Sequence, residues 1–182
     1  MNSHRKFADA GVPLLILSGT IGVGKSTVLV EIHEVLSCSD VPHLCIDADA
    51  LALSWPRRGD FNAVAVLESV ASLWDNARLA GAQRCVIATV VERRAELDAY
   101  RHAIPHAELV LVQLTAPEAV RVSRIRHREV GSGLEWHLQR TSSLQHILDD
   151  AALHDFSVVN DGRSTREVAL EVLTRAGWPV TQ

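Results

Sequence analysis

The stretch Gly19-Thr20-Ile21-Gly22-Val23-Gly24-Lys25-Ser26 matches the phosphate-binding loop pattern G-x-x-x-x-G-K-[ST] at every fixed position. The pattern has meaning only between a strand and a helix, and both flanks read that way. Val12-Pro13-Leu14-Leu15-Ile16-Leu17 is an apolar run suited to a buried parallel strand. Val28 to Leu36 carries apolar residues at helical spacing. The loop's glycines let the backbone turn tightly and come close to a phosphate chain. Successive N–H groups then form an anion-binding nest, and the new helix adds its own free N–H groups and the positive end of its dipole. In this pattern Lys25 reaches the β/γ-phosphates and the Ser26 hydroxyl ligates Mg²⁺. The expected nucleotide-binding segment is therefore Gly19, Thr20, Ile21, Gly22, Val23, Gly24, Lys25 and Ser26, with Thr27 following.

Strands and helices alternate along the rest of the chain. Val41 to Asp47 is a second strand, and Asn62 to Ala80 a long helix with Val64, Leu67, Val70, Ala71 and Trp74 on one face, stopped by Gly81. Arg84 to Val91 is a third strand and Glu92 to Ala103 a charged helix ended by Pro105. Glu108 to Leu114 is a fourth strand, and Thr115-Ala116-Pro117-Glu118 opens the next helix with a cap candidate, an early proline and an acidic first turn. Gly131-Ser132-Gly133 breaks that helix and is the expected hinge. A helix from Leu134 to Leu153, a fifth strand from Phe156 to Val159 and a closing helix from Ser164 to Ala176 complete the chain. This alternation predicts a parallel sheet with helices on both faces. At 182 residues, with 47% hydrophobic content, a single domain over 1–182 is expected.

The net charge of −4 argues against general nucleic-acid binding. The residues from Met1 to Gly11 lack a signal-peptide core, and no apolar run is long enough to span a membrane, so a cytoplasmic protein is expected. Cys38, Cys45 and Cys85 form no C-x-x-C pair and sit in packing runs, which predicts reduced, buried thiols.

Two further groups of residues carry chemistry. Asp47 and Asp49 stand where the second strand ends, at the sheet edge that faces ligands in open α/β folds. Strand alternation would point both to one side. One carboxylate would serve Mg²⁺ and the other would accept a proton from a substrate hydroxyl; the alternative is a capping pair for a short helix. The second group is Arg121, Arg124 and Arg128, sharing roughly one helical face, with Arg140 on the next helix. Guanidinium groups suit the spread negative charge of phosphoryl transfer. Trp55, Arg57 and Arg58 lie where an acceptor would sit, and the arginines favour a carboxylate or phosphate on it.

Taken together, the chain resembles the small P-loop kinases: adenylylsulfate, shikimate and gluconate kinases and chloramphenicol phosphotransferase. The resemblance rests on the loop at 19–26, on Asp47-Ala48-Asp49, on Pro117 through Arg128 and on Asn160-Asp161-Gly162-Arg163. Segments 55–58 and 134–140 are similar to parts of actinobacterial P-loop proteins of this size. The resemblance implies a three-layer P-loop fold with five parallel strands in the order 2-3-1-4-5 and a helical lid over about 121–140. It implies ATP and Mg²⁺ as cofactors, a small hydroxylated acceptor as partner, and Asp47 and Asp49 serving the metal and the acceptor hydroxyl. It places Arg124 over the adenine and phosphates, and Asn160, Gly162 and Arg163 along the adenine. The third strand ends in Thr89-Val90-Val91-Glu92, without the Gly-Gly of shikimate kinases, which argues against a shikimate substrate.

The reading that follows is an ATP-dependent phosphotransferase in which Lys25, Asp49, Arg124, Arg128 and Arg140 are catalytic. Substrate contacts are assigned to Asp49, Trp55, Arg57 and Arg58, and metal contacts to Ser26 and Asp47. The alternatives are an ATP-binding regulatory or resistance protein with little turnover, and a GTPase switch. Oligomeric state stays open. The chain holds no N-K-x-D guanine motif, so ATP should bind more tightly than GTP. Calorimetric titration with both nucleotides in Mg²⁺ checks this, and tighter GTP binding would restore the switch reading.

Overall fold

β1 (Val12–Ser18) is central because it is apolar on both faces: Leu14, Leu15, Ile16 and Leu17 are each 1% exposed or less. A strand with no polar face must be covered on both sides. The computed structural model describes residues 11–53, 55–128 and 133–180. After β1 come α1 (Lys25–Cys38), β2 (Leu44–Asp47), α2 (Ala48–Leu51), α3 (Ala63–Leu79), β3 (Cys85–Ala88) and α4 (Arg94–Ala103). Then follow β4 (Ala107–Thr115), α5 (Glu118–Arg128), α6 (Gly133–Ala151), β5 (Phe156–Val159) and α7 (Thr165–Arg175).

The five strands are all parallel and lie in the order β2-β3-β1-β4-β5, as expected. Leu17 is in register with Ala88 on one side and Val112 on the other. The carboxyl ends of the three middle strands therefore open onto one edge, which carries Gly19 after β1 and Thr89 after β3.

The pleat of β1 divides the core in two. Leu15 and Leu17 pack with Val28, Ile32 and Leu36 of α1 and with Val168, Val172 and Leu173 of α7. Leu14 and Ile16 pack with Val66, Val70 and Trp74 of α3 and with Leu97 and Tyr100 of α4. α7 begins with a full capping box: Ser164 accepts from the Glu167 N–H, and the Glu167 carboxylate accepts from the Ser164 N–H. Among the described residues, no helix is long and apolar enough to cross a membrane.

Several sequence expectations change. β2 starts at Leu44 rather than Val41. The buried face of α3 is Val66, Val70 and Trp74, whereas Val64 is exposed, so the apolar stripe is rotated from the one read off the sequence. Cys38 is exposed and Cys45 half-buried; only Cys85 is fully buried. Trp74 is a packing residue, whereas Trp136 is half exposed, with its ring edge-on to His137. Of the expected hinge, Gly131 and Ser132 lie outside the described residues, and Gly133 is the first residue of α6.

Candidate active site

The loop from Gly19 to Gly24 joins the buried end of β1 to α1. Gly24 is the N-cap of α1 in the left-handed region (φ 94°), with no side-chain cap and no acidic residue in the first turn. A Cβ there would also meet the Asn160 side chain at 2.6 Å. At Gly22 (φ 84°) a Cβ would strike the Arg121 carbonyl oxygen at 2.7 Å, so α5 packs directly on the loop backbone. The first-turn N–H groups of α1 therefore meet no capping side chain, and the positive end of the helix faces the loop. That is the local chemistry of an anion site.

Lys25 is buried, and its ammonium donates to the Gly19 carbonyl at 3.0 Å, with Thr20 O at 3.5 Å. Burial pushes its pKa down, while the charges of Asp49 and then Asp47 push it back up. Both carboxylates therefore act on the lysine through their charge. They are placed by capping rather than by strand alternation. Asp47 is the last residue of β2 and the N-cap of α2, accepting from the Asp49 N–H at 3.2 Å, so Asp49 belongs to the first turn of α2. The capping reading of this pair is what the backbone shows. Asp49 opens to solvent, yet the protein crowded around it pushes its carboxyl up against the opposing pull of Lys25.

Facing Asp49 is a wall absent from the sequence reading. Thr89, just after β3, is buried, and its hydroxyl accepts from the Tyr100 hydroxyl at 3.3 Å. Burial raises the Tyr100 phenol, and the negative charge of Asp49 adds to the effect. Tyr100 is the only tyrosine of the chain. Thr89 was legible as a residue at the carboxyl edge of the sheet; Tyr100, on a charged helix eleven residues later, had no local signal.

The arginines do not form one stripe. Arg121 is buried and donates to the Ala116 carbonyl at 2.6 Å, so it locks the start of α5 instead of facing a ligand. Arg124 donates to the Asn160 carbonyl at 3.0 Å and lies 3.4 Å from Val23 O and 3.5 Å from Gly22 O. Arg128, one turn on, is exposed, and its charge reaches both Lys25 and Asp49. Arg140 pairs with Glu92 beyond β3. The Asn160 side chain donates to Val23 O at 2.7 Å, so it braces the loop. Arg163 is drawn away to Glu171 and the Glu167 carbonyl of α7.

On the acceptor side, Trp55 is 87% exposed and Arg57 is exposed. Arg58 pairs with Glu68 on α3. A pair this exposed is worth about 0–1 kcal/mol and holds Arg58 only loosely.

α6 supplies another contact that sequence reasoning missed. Thr141 is fully buried and donates to the Ile21 carbonyl at 2.8 Å. A carbonyl only accepts, so the buried Thr20 hydroxyl donates to Thr141 O at 2.9 Å. The loop is thus clasped from α6 by Thr141 and from the β5 end by Asn160.

No protein-family model matches the chain, and no curated protein matches it by sequence. Solved structures do. The tunicamycin resistance protein of Deinococcus radiodurans superposes with a TM-score of 0.65 over 94% of this chain and 99% of that one, at 15% identity. A gluconokinase from Sinorhizobium meliloti 1021 gives 0.61 over 92% and 91%, at 21% identity. The shikimate kinase of Acinetobacter baumannii gives 0.58 over 90% and 92%, at 18% identity. The chain has the α/β fold of the small P-loop kinases.

The clasp is testable. Thr141→Val should strand the Ile21 carbonyl and cost about 1–3 kcal/mol of stability. It should also speed hydrogen exchange at the amides of residues 20–24. Unchanged exchange there would mean that α6 does not restrain the loop.

Proposed function

We propose that this protein is an ATP-dependent phosphotransferase that moves the γ-phosphate to a hydroxyl of a small-molecule acceptor. The observation that carries this reading is the buried Lys25 ammonium, bonded to the Gly19 carbonyl and under the charges of Asp49 and Asp47, at the mouth of a helix with no capping side chain. The fold shared with small-molecule kinases supports it.

In this reading the loop amides and Lys25 hold the β/γ-phosphates. Lys25 leaves the Gly19 carbonyl for phosphate oxygens, a stronger, charge-assisted partner. The hydroxyl of Ser26 and the carboxylate of Asp47 are hard oxygen donors at the start of α1 and the end of β2, a set that suits Mg²⁺. The ion, when bound, neutralises charge on the transferred phosphate. Asp49 orients the acceptor hydroxyl and takes its proton. Thr89 and Tyr100 shape the wall opposite. Arg124 and Arg128 close on the phosphates, joined by Arg140 when it leaves Glu92. Asn160 and Gly162 border the nucleotide, whereas Arg163 serves α7. Trp55, Arg57 and Arg58 meet the acceptor, and within a single domain the described parts of α5 and α6 form the lid over about 121–140, of which residues 129–132 lie outside the described residues.

Lys25→Ala should lose nucleotide affinity and nearly all turnover while remaining folded, because the ammonium answers phosphate charge. A variant that binds ATP like the parent would defeat the P-loop reading. Asp49→Asn should keep Mg²⁺·ATP affinity and lower turnover about 10²–10⁴-fold. Asp47→Asn should weaken the Mg²⁺ dependence of binding. Since its surroundings raise the Asp49 carboxyl, activity should fall as pH drops through a value above the ordinary carboxylate range. That acid limb should vanish in Asp49→Asn. ATP consumption screened against hydroxylated metabolites and nucleoside-like antibiotics supplies the assay, and ATP binding without turnover on any acceptor would favour the regulatory alternative.

A further inference from the structure

α1 and β2 meet at a second cluster of chemistry-bearing side chains that the phosphotransfer reading does not use. His33 projects from α1, His43 from the segment entering β2, and Cys45 from β2 itself. One ligand atom of each lies within 4.8 Å of the others. His33 Nδ1 and His43 Nε2 are 2.9 Å apart. His43 Nδ1 is 2.6 Å from the Val41 carbonyl oxygen. A carbonyl only accepts, so Nδ1 carries the proton and Nε2 offers its lone pair to the cluster. Outer partners of this kind commonly orient a metal-binding histidine. Cys45 packs toward the α1 side of the sheet, whereas its neighbours Leu44 and Ile46 pack on the other. Cys45 is half-buried and His33 exposed, so the cluster has one inner ligand and one side open to water.

We propose that His33, His43 and Cys45 bind a zinc ion, with water as the fourth ligand. Nitrogen and thiolate sulfur suit zinc and not magnesium, so this site is chemically separate from Ser26 and Asp47. Tetrahedral zinc, with bonds of about 2.0–2.1 Å to nitrogen and 2.3 Å to sulfur, sets its ligand atoms roughly 3.3–3.7 Å apart. The two imidazoles need only separate slightly, and the exposed His33 ring is free to do so. As the zinc–sulfur bond forms, the thiol proton passes to water. One feature opposes binding: burial pushes the Cys45 thiol up to about 12. Burial first, and the charges of His33 and Arg84 after it, lower His43 and so favour the neutral imidazole that a metal needs. The consequence is mechanical: the ion would tie edge strand β2 to α1. That strand ends in Asp47 and that helix begins at Lys25, so the tie would fix the spacing across the candidate active site.

Cobalt(II) is the probe, because thiolate-bound cobalt gives an intense near-ultraviolet sulfur-to-metal band that oxygen and nitrogen ligands do not. Titrating the full chain with Co²⁺ should raise this band stoichiometrically, and Zn²⁺ should abolish it by displacement. Cys45→Ser should remove the band. His33→Ala, at an exposed helix position that leaves the core intact, should weaken zinc at least by the about 10–100-fold typical of losing an outer partner. A parent without the band, a band that survives in Cys45→Ser, or unchanged zinc affinity in His33→Ala would each overturn the proposal.

Discussion

A buried ammonium group must be compensated, and the site is arranged around that requirement at Lys25. Taking a charge out of water is costly unless hydrogen bonds and opposite charges replace the solvent. Here the Gly19 carbonyl supplies the hydrogen bond, and Asp49 and Asp47 supply the charge. The three side chains come from α1, β2 and α2, so the compensation exists only when the sheet edge is assembled. In the proposed phosphotransferase reading, a phosphate chain entering the loop would offer Lys25 a better, charge-assisted partner.

The loop is held through its backbone groups and through one of its own side chains, the Thr20 hydroxyl. Gly22 lets α5 rest on it, and Gly24 lets Asn160 reach Val23. From the other side, the Thr20–Thr141 pair ties it to α6. Two of these contacts use carbonyl oxygens of the loop, Val23 O and Ile21 O. Carbonyls occupied from outside orient their peptide N–H groups inward, which is the polarity an anion needs. Both α5 and α6 thus shape the loop, and α5 also brings the charges of Arg124 and Arg128 to it.

How much of this was legible depends on the range over which each signal acts. The P-loop, the five strands and the parallel sheet were readable because glycine spacing, apolar runs and strand–helix alternation are local consequences of backbone sterics and burial. The start of the closing helix at Ser164 was placed for the same reason. The strand order came from resemblance to a family, and the assembled sheet agrees with it.

The roles of the charged residues were not legible, because a guanidinium or carboxylate acts on whatever lies within a few ångströms in space. Helical spacing put Arg121 beside Arg124 and Arg128, but rotation of α5 against the loop buries Arg121 on Ala116 and leaves the other two on the candidate site. Arg140 pairs with Glu92 and Arg163 with Glu171, partners that no local signal in the sequence announced. Tyr100 and Thr89, eleven residues apart, meet only because β3 and α4 pack on one side of the sheet. His33, His43 and Cys45 converge only because α1 lies on β2. The sequence by itself determined the phosphate loop and the alternating α/β pattern, since both are written in local backbone and burial preferences. The partner of each charge and polar group was decided by tertiary packing, because electrostatic and hydrogen-bond energies depend on distances that chain order does not set.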